Sequence, residues 1–231
     1  MNTRREFLLA AGGLALASVG MPSRAADKIA INKDTDVFLI IDVQNCFMPG
    51  GNNIVGLVNK LGGGFKNVVM TQDWHPSGLI SFAGAHKKEV FTTQEMVYGT
   101  QVMWPDHCIQ GTADGALHKE LNIPHAQLVI RKGYNATVDG YSAFLDLDGK
   151  TQTGLEGYLK GRGIKRVFLA GLATDFCVMW SATDARKLGF EAAVIEDACR
   201  HIDVGGSLAA AWKKMDAAGV KRIQSADLAM G

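Results

Sequence analysis

Val37-Phe38-Leu39-Ile40-Ile41-Asp42-Val43-Gln44-Asn45 opens on five consecutive apolar residues and then breaks into acid and amide. An unbroken apolar run of this length suits a parallel strand covered on both faces, because neither face can then alternate with polar residues. Runs of the same kind recur at 67–71, 127–131, 166–170 and 191–195, with a shorter one at 220–223. Helical stretches fall between them at 53–61, 153–161, 176–188 and 207–218, the last followed by Gly219, placed for a left-handed cap. Short strands alternating with helices predict an α/β fold, a three-layer αβα arrangement with a six-stranded, mostly parallel sheet flanked by helices. The stretch 76–124 has no sustained period and is too long for an idle connection, so it is expected to be a functional loop.

The chain has 231 residues, 47% hydrophobic and 20% charged, which suits one soluble domain with a substantial core and excludes a disordered chain or a multi-span membrane protein. Twenty-four Lys and Arg against 23 Asp and Glu give a net charge of +1, without the basic footprint that nucleic-acid binding needs. Residues 1–25 stand apart. A basic start through Arg4-Arg5, an Ala/Leu/Gly-rich stretch over 7–19 and Ser23-Arg24-Ala25 have the layout of a cleaved signal peptide. The apolar part is shorter than the roughly 20 residues that span hydrocarbon, and Arg4-Arg5-Glu6-Phe7-Leu8 resembles the twin-arginine export address. The expectation is a periplasmic domain over 26–231 with no stable membrane association. It holds all four cysteines, Cys46, Cys108, Cys177 and Cys199, with no CxxC pair, and their pairing is open.

In an open parallel sheet chemistry collects beyond the carboxyl ends of the strands, and four such ends bear reactive groups. Asp42 follows the first apolar run, where burial would raise its pKa and make it a usable base; alone, it would read as a turn cap. Asp73 and His75 lie two apart on extended chain and project to one side, so that an oxygen and a nitrogen can converge on a metal. His107 in the long loop supplies a third ligand, with His86 its rival, while His118, His125 and His201 read as surface or packing residues. Lys132 emerges from an apolar strand as a fixed cation, although by itself it would read as solvated. Cys177 follows Leu169-Ala170-Gly171-Leu172-Ala173-Thr174. With Thr174 as N-cap it falls at the third helical position, where free amides favour a thiolate and can hold an oxyanion; in isolation it would equally suit a small buried core residue.

Ile41-Asp42-Val43-Gln44-Asn45, Gln72-Asp73-Trp74-His75-Pro76, Trp104-Pro105-Asp106-His107-Cys108, Lys132-Gly133, Tyr141-Ser142-Ala143-Phe144 and Gly171-Leu172-Ala173-Thr174-Asp175-Phe176-Cys177-Val178 together resemble the nicotinamidase/pyrazinamidase family of isochorismatase-like hydrolases. The resemblance runs from about Asp36 to Ile223. It implies an amidohydrolase that takes nicotinamide to nicotinate and ammonia through a cysteine thioester, with Asp42, Lys132 and Cys177 as the triad. It further implies one divalent metal on Asp73, His75 and His107, zinc first with iron and manganese as alternatives, and rings of Phe47, Trp104 and Tyr141 around a small pyridine carboxamide. A cis Leu172–Ala173 peptide would aim the Ala173 and Cys177 amides at the substrate oxygen. A homo-oligomer is compatible with the sequence. Cys46 stands where the family often has Asp, either as a bystander or as a partner of Cys177 or Cys108 that silences the enzyme, and the stretch 50–67 is shorter than in long members. The competing expectations are an amidase for another small carboxamide or carbamoyl compound, and an exported metal-binding or redox-sensing protein.

Overall fold

The structure, a computed structural model, describes residues 28–48 and 50–230, so the signal-peptide reading of residues 1–25 lies outside it. The strands in chain order are β1 (Ile29–Ala30), β2 (Asp36–Ile41), β3 (Asn67–Asp73), β4 (Thr93–Met96), β5 (Gly99–Val102), β6 (Leu128–Lys132), β7 (Arg166–Leu172), β8 (Glu191–Arg200), β9 (Lys221–Ile223) and β10 (Leu228–Ala229). The helices are α1 (Val55–Gly62), α2 (Leu155–Gly161), α3 (Met179–Lys187) and α4 (Ser207–Ala217). Six strands form one sheet in the order β6-β3-β2-β7-β8-β9, with every neighbouring pair parallel.

That order follows from burial. All of β2 is buried, and Phe38 stacks on Phe65, whose ring also meets Phe168 of β7. Each such side chain contributes about 1.5–3 kcal/mol by leaving water, which favours the apolar strands in the centre and the polar-flanked β6 and β9 at the edges. Val55, Val58 and Leu61 of α1, Leu155 and Leu159 of α2, Ala182 and Ala185 of α3 and Met215 of α4 join the same core. From β2 the chain moves outward to β3 and β6, then returns to lay β7 against the other side of β2. Right-handed crossovers therefore place α1 on one face and α3 and α4 on the other, and the connections that leave the carboxyl ends of β2 and β7 part at the reversal, where ligand sites of doubly wound sheets open.

The strands outrun their apolar runs. β3 continues to Asp73 and β6 to Lys132, and the register pairs those two residues; the hydrophobic pattern stops where side chains turn polar, but the backbone ladder does not. At the end of β7 Gly171 adopts φ 127, and a β carbon there would lie 2.0 Å from the Ile41 carbonyl oxygen, so this close approach of β7 to β2 admits only glycine. The Leu172–Ala173 peptide is cis, as the resemblance implies.

Three features depart from expectation. The stretch 76–124 contains a short helical turn at Ala83–His86 and the antiparallel β4–β5 hairpin, whose largely exposed strands leave no apolar signature. β1 pairs in parallel with β10, two residues each, too short for any periodicity. The helix expected from residue 176 is preceded by a π turn over Thr174–Val178 and begins at Met179. Among the described residues no helix is long and apolar enough to cross a membrane.

Candidate active site

Asp42 follows β2, Lys132 ends β6 and Cys177 sits in the π turn after β7, so the reversal of strand order brings all three together, each buried. A carboxylate oxygen of Asp42, one of Asp73 and the Cys177 Sγ lie within 4.8 Å of one another. The Lys132 ammonium has three hydrogens, and all are committed: it donates to Asp73 Oδ1, to the Gly140 carbonyl oxygen at 3.2 Å and to Cys177 Sγ at 3.2 Å. Asp42 Oδ2 lies 3.0 Å from the same nitrogen as an ion pair, without the geometry of a hydrogen bond to any of the described residues. Its other oxygen is pinned, with Thr71 Oγ1 donating to Asp42 Oδ1 at 2.5 Å and accepting from the Asp42 amide at 3.1 Å. Asp42 is held at φ 49, a left-handed conformation that a non-glycine residue keeps only where its surroundings impose it. The result is one fixed carboxylate oxygen and one open acceptor near a thiol.

Burial raises the Asp42 carboxyl to about 6 even though Lys132 pulls it down. Burial likewise lifts the Cys177 thiol well above its ordinary value, more than Lys132 lowers it, and the Asp73 and Asp42 carboxylates add to the rise. Lys132 is desolvated too, but the two carboxylates hold it protonated well above the usual lysine range. At neutral pH the resting set is thus thiol, carboxylate and ammonium. This corrects the expectation of a thiolate favoured by a capped helix start. The turn is capped by Ala173 without a side-chain bond, Thr174 is its first residue rather than its N-cap, and Cys177 is fourth rather than third.

Asp73, His75 and His107 bring one oxygen and two nitrogens within 4.8 Å of one another. Nδ1 of His75 lies 2.8 Å from the Gly133 carbonyl oxygen and Nδ1 of His107 lies 2.8 Å from that of Pro105. A carbonyl only accepts, so each Nδ1 is the donor and each Nε2 remains for a ligand, the arrangement that orients metal-bound imidazoles. Asp73 splits its oxygens between Lys132 and His75, and Gln44 clamps its backbone from both sides, accepting from the Asp73 amide at 2.7 Å and donating to its carbonyl at 2.8 Å. Burial works against protonation of His75, yet the Asp73 carboxylate lifts it to about 9; the anionic site calls for a cation, and a proton competes with a metal for the same nitrogen. One carboxylate and two imidazoles fit zinc, iron or manganese. His86 is excluded as a ligand because its Nε2 lies 2.7 Å from the Ile80 carbonyl oxygen, outside the cluster.

Gly133 makes this placement possible. It sits at φ 62, and a β carbon there would lie 2.5 Å from His75 Cε1 and 2.7 Å from its Nδ1. Gly133→Ala is expected to weaken zinc binding by about 10–100-fold, the usual cost of disturbing the partner of a ligating histidine, measured by competition with a chromophoric chelator. Unchanged affinity would show that His75 is placed by something else.

The predicted rings line the same space. Trp104 Nε1 and Gln101 Nε2 each donate to the Tyr141 hydroxyl at 2.7 Å, and Phe47 lies 5.7 Å from the His107 ring. Phe176, which sequence reasoning did not single out, packs 4.7 Å from Trp104 and 5.7 Å from Tyr141. Thr71, Gln44 and Gln101 were also missed as supports, because nothing in the local pattern says which partner a buried polar side chain will find. Cys46 and Cys108 form a disulfide with Cα atoms 5.3 Å apart, which removes the alternative of a Cys46–Cys177 bridge; Cys177 and Cys199 are free and buried. A groove of about 880 Å³ beside Glu196, Arg200, Trp212 and Arg222 contains none of the triad, metal-set or ring residues.

The Isochorismatase domain matches residues 36–227. The chain is 52% identical to the nicotinamidase of Acinetobacter baylyi over 198 residues, covering 82% of this chain and 92% of the relative. Among solved structures it is similar to the nicotinamidase/pyrazinamidase of Acinetobacter baumanii, with a TM-score of 0.83 and 54% identity over 84% of this chain and 98% of that one. It is also similar to the pyrazinamidase of Pyrococcus horikoshii in complex with zinc, with a TM-score of 0.67 and 30% identity over 82% of this chain and 98% of that one. Since the matched segment runs through all six strands of the sheet and the reactive residues at their ends, the chain belongs to the isochorismatase family.

Proposed function

We propose that the chain is a cysteine amidohydrolase that converts nicotinamide to nicotinate and ammonia and accepts pyrazinamide as a second substrate. The observation that carries this reading is the Asp42 Oδ2 acceptor, ion-paired with Lys132 but accepting no hydrogen bond, buried near the Cys177 thiol, while Lys132 donates to Asp73, Gly140 and Cys177. Asp42 takes the thiol proton as Cys177 Sγ attacks the carboxamide carbon, and the carbonyl π pair moves onto oxygen. The amides of Ala173 and Cys177 receive that oxyanion. Collapse breaks the C–N bond, ammonia leaves with the proton held by Asp42, and a thioester remains on Cys177. Water then adds, giving a proton to Asp42, and the acid departs as the thiol is restored. Lys132 stays protonated throughout and balances whichever of thiolate or carboxylate bears the charge.

A zinc, iron or manganese ion held by Asp73, His75 and His107 would supply Lewis acidity and a fixed point for orienting the substrate. Phe47, Trp104, Tyr141 and Phe176 form the aromatic walls for the planar ring. Incubation of the metal-replete protein with nicotinamide is expected to release ammonia and nicotinate in equal amounts. Release from other small amides but not from nicotinamide or pyrazinamide would overturn the substrate and keep the amidase.

The acid limb of the rate follows from Asp42. Its carboxyl must be ionised to take the thiol proton and sits at about 6, so kcat/KM rises with pH through about 6 and falls away below it. A profile flat down to pH near 4, the ordinary carboxyl range, would remove Asp42 as the base. We also propose that the enzyme is exported to the periplasm. The Arg4-Arg5 pattern ahead of the apolar stretch supports this, as does the Cys46–Cys108 bridge, a link that persists in oxidising compartments.

A further inference from the structure

The Cys46–Cys108 bridge joins two segments that lie outside the sheet and meet at the metal site. Cys46 belongs to the helical turn Asn45–Phe47 just beyond Asp42, and its neighbour Phe47 lies 5.7 Å from the His107 ring. Cys108 directly follows His107. The Cys108 carbonyl accepts from the His75 amide at 3.1 Å, and the Gln110 amide donates to the His75 carbonyl at 2.9 Å, so the same residue is tied to the second imidazole ligand. The hydrogen bonds that also link the segments go to the loop beyond Cys108: the Asp114 carbonyl accepts from the Cys46 amide at 2.9 Å, its carboxylate accepts from the Cys108 amide at 2.8 Å, and the Asn45 amide and side chain donate to the Ala116 and Ala113 carbonyls at 3.0 Å and 2.8 Å. Cys108 stands at φ 49, off the ordinary path for a residue with a β carbon. The disulfide is the covalent tie across 62 residues of chain.

We propose that this disulfide is a positioning element of the metal and substrate sites. It holds His107 against Phe47 and in register with His75, so that the ligand set is preorganised only in the oxidised protein. Cys46 is half-buried and Cys108 fully buried, so a dithiol attacks at the Cys46 sulfur. The S–S bond breaks, the dithiol leaves as its own disulfide, and two electrons and two protons end on Cys46 and Cys108. Cys177 lies outside the bridge and keeps its thiol in either state. The substrate half of this proposal rests on the nicotinamidase reading; the metal half does not.

The test compares the wild-type protein with Cys46→Ser/Cys108→Ser and Cys46→Ala/Cys108→Ala. Zinc affinity is measured by chelator competition, KM and kcat with nicotinamide, and fold by circular dichroism and thermal melting. The expected result is a zinc affinity lower by about 10–100-fold, a raised KM and a kcat changed far less at saturating zinc, in proteins with the native spectrum. Denatured, unreduced wild type is expected to show two reactive thiols of its four cysteines. Unchanged zinc affinity and KM in either folded variant would overturn the proposal even if the melting point fell, as would four reactive thiols in the unreduced protein. If neither variant folds, wild type reduced in place with a phosphine decides the zinc arm. Absence of nicotinamide turnover in wild type counts against the functional reading alone, because zinc affinity still reports on the bridge.

Discussion

Cys177→Ala lowers kcat/KM for nicotinamide by between about 10⁴-fold and 10⁶-fold, the range for loss of a covalent nucleophile that works with a fixed base. In the proposed mechanism the substitution removes the atom that forms the thioester and leaves the Ala173 amide, the aromatic side chains and the Asp73, His75 and His107 set in place, so substrate and zinc are expected still to bind. The fold tolerates the change because Lys132 retains Asp73 and Gly140 as acceptors when the sulfur is lost. Cys177→Ser keeps a hydroxyl at that place but asks Asp42, at about 6, to deprotonate a far weaker acid, and is expected to be nearly as inactive. Ammonia release in a coupled assay, with zinc content and melting temperature as controls, measures this. Residual activity above about one per cent in the Ala variant would mean that another group starts the reaction.

The sheet was legible because burial on both faces leaves unbroken apolar runs, and β2, β3, β6, β7, β8 and β9 each overlap or extend one of those runs. The reactive residues were legible for the related reason that a polar residue ending such a run has no place in the core except as chemistry or as a cap. Sequence spacing does not carry the side-chain partnerships. Asp42 needs Thr71 across the sheet and Asp73 needs Gln44, and each pairing depends on the β2–β3 register. Nor could it carry the balance of forces on Cys177. Helix-start amides favour a thiolate by an amount that local sequence indicates, whereas complete desolvation and two nearby carboxylates oppose it by an amount only the assembled site sets. The hairpin β4–β5 escaped because its strands are mostly exposed, and the β1–β10 pair because two residues have no period.

Lys132→Met is expected to cost about 3–5 kcal/mol of unfolding free energy, the range for removing one partner of a buried charge pair, and to take the catalytic base with it. The side chain is completely buried and its ammonium is the cation shared by Asp42 and Asp73. Methionine fills similar volume, so packing is nearly conserved and the loss is electrostatic. Two carboxylates then remain within 4.8 Å of each other without a counter-charge from Lys132, and one must take up a proton. Asp42, already at about 6 with Lys132 present, moves higher and is neutral at pH 7, so Oδ2 no longer accepts from Cys177. The sign of the pH dependence follows. A carboxyl whose folded pKa is raised above its unfolded value favours the folded state at low pH, and that contribution is lost as pH rises through the folded pKa. The stability deficit of the variant relative to wild type is therefore smallest near about pH 4 and grows through and above about pH 6, which urea unfolding at about pH 5 and pH 8 resolves. Adding Asp42→Asn to Lys132→Met removes the carboxyl that must otherwise be held protonated above its ordinary pKa and recovers part of the loss, a non-additivity that marks direct coupling. Additive effects of the two substitutions, or a deficit independent of pH, would show that Lys132 stabilises the fold by packing rather than by neutralising the two acids.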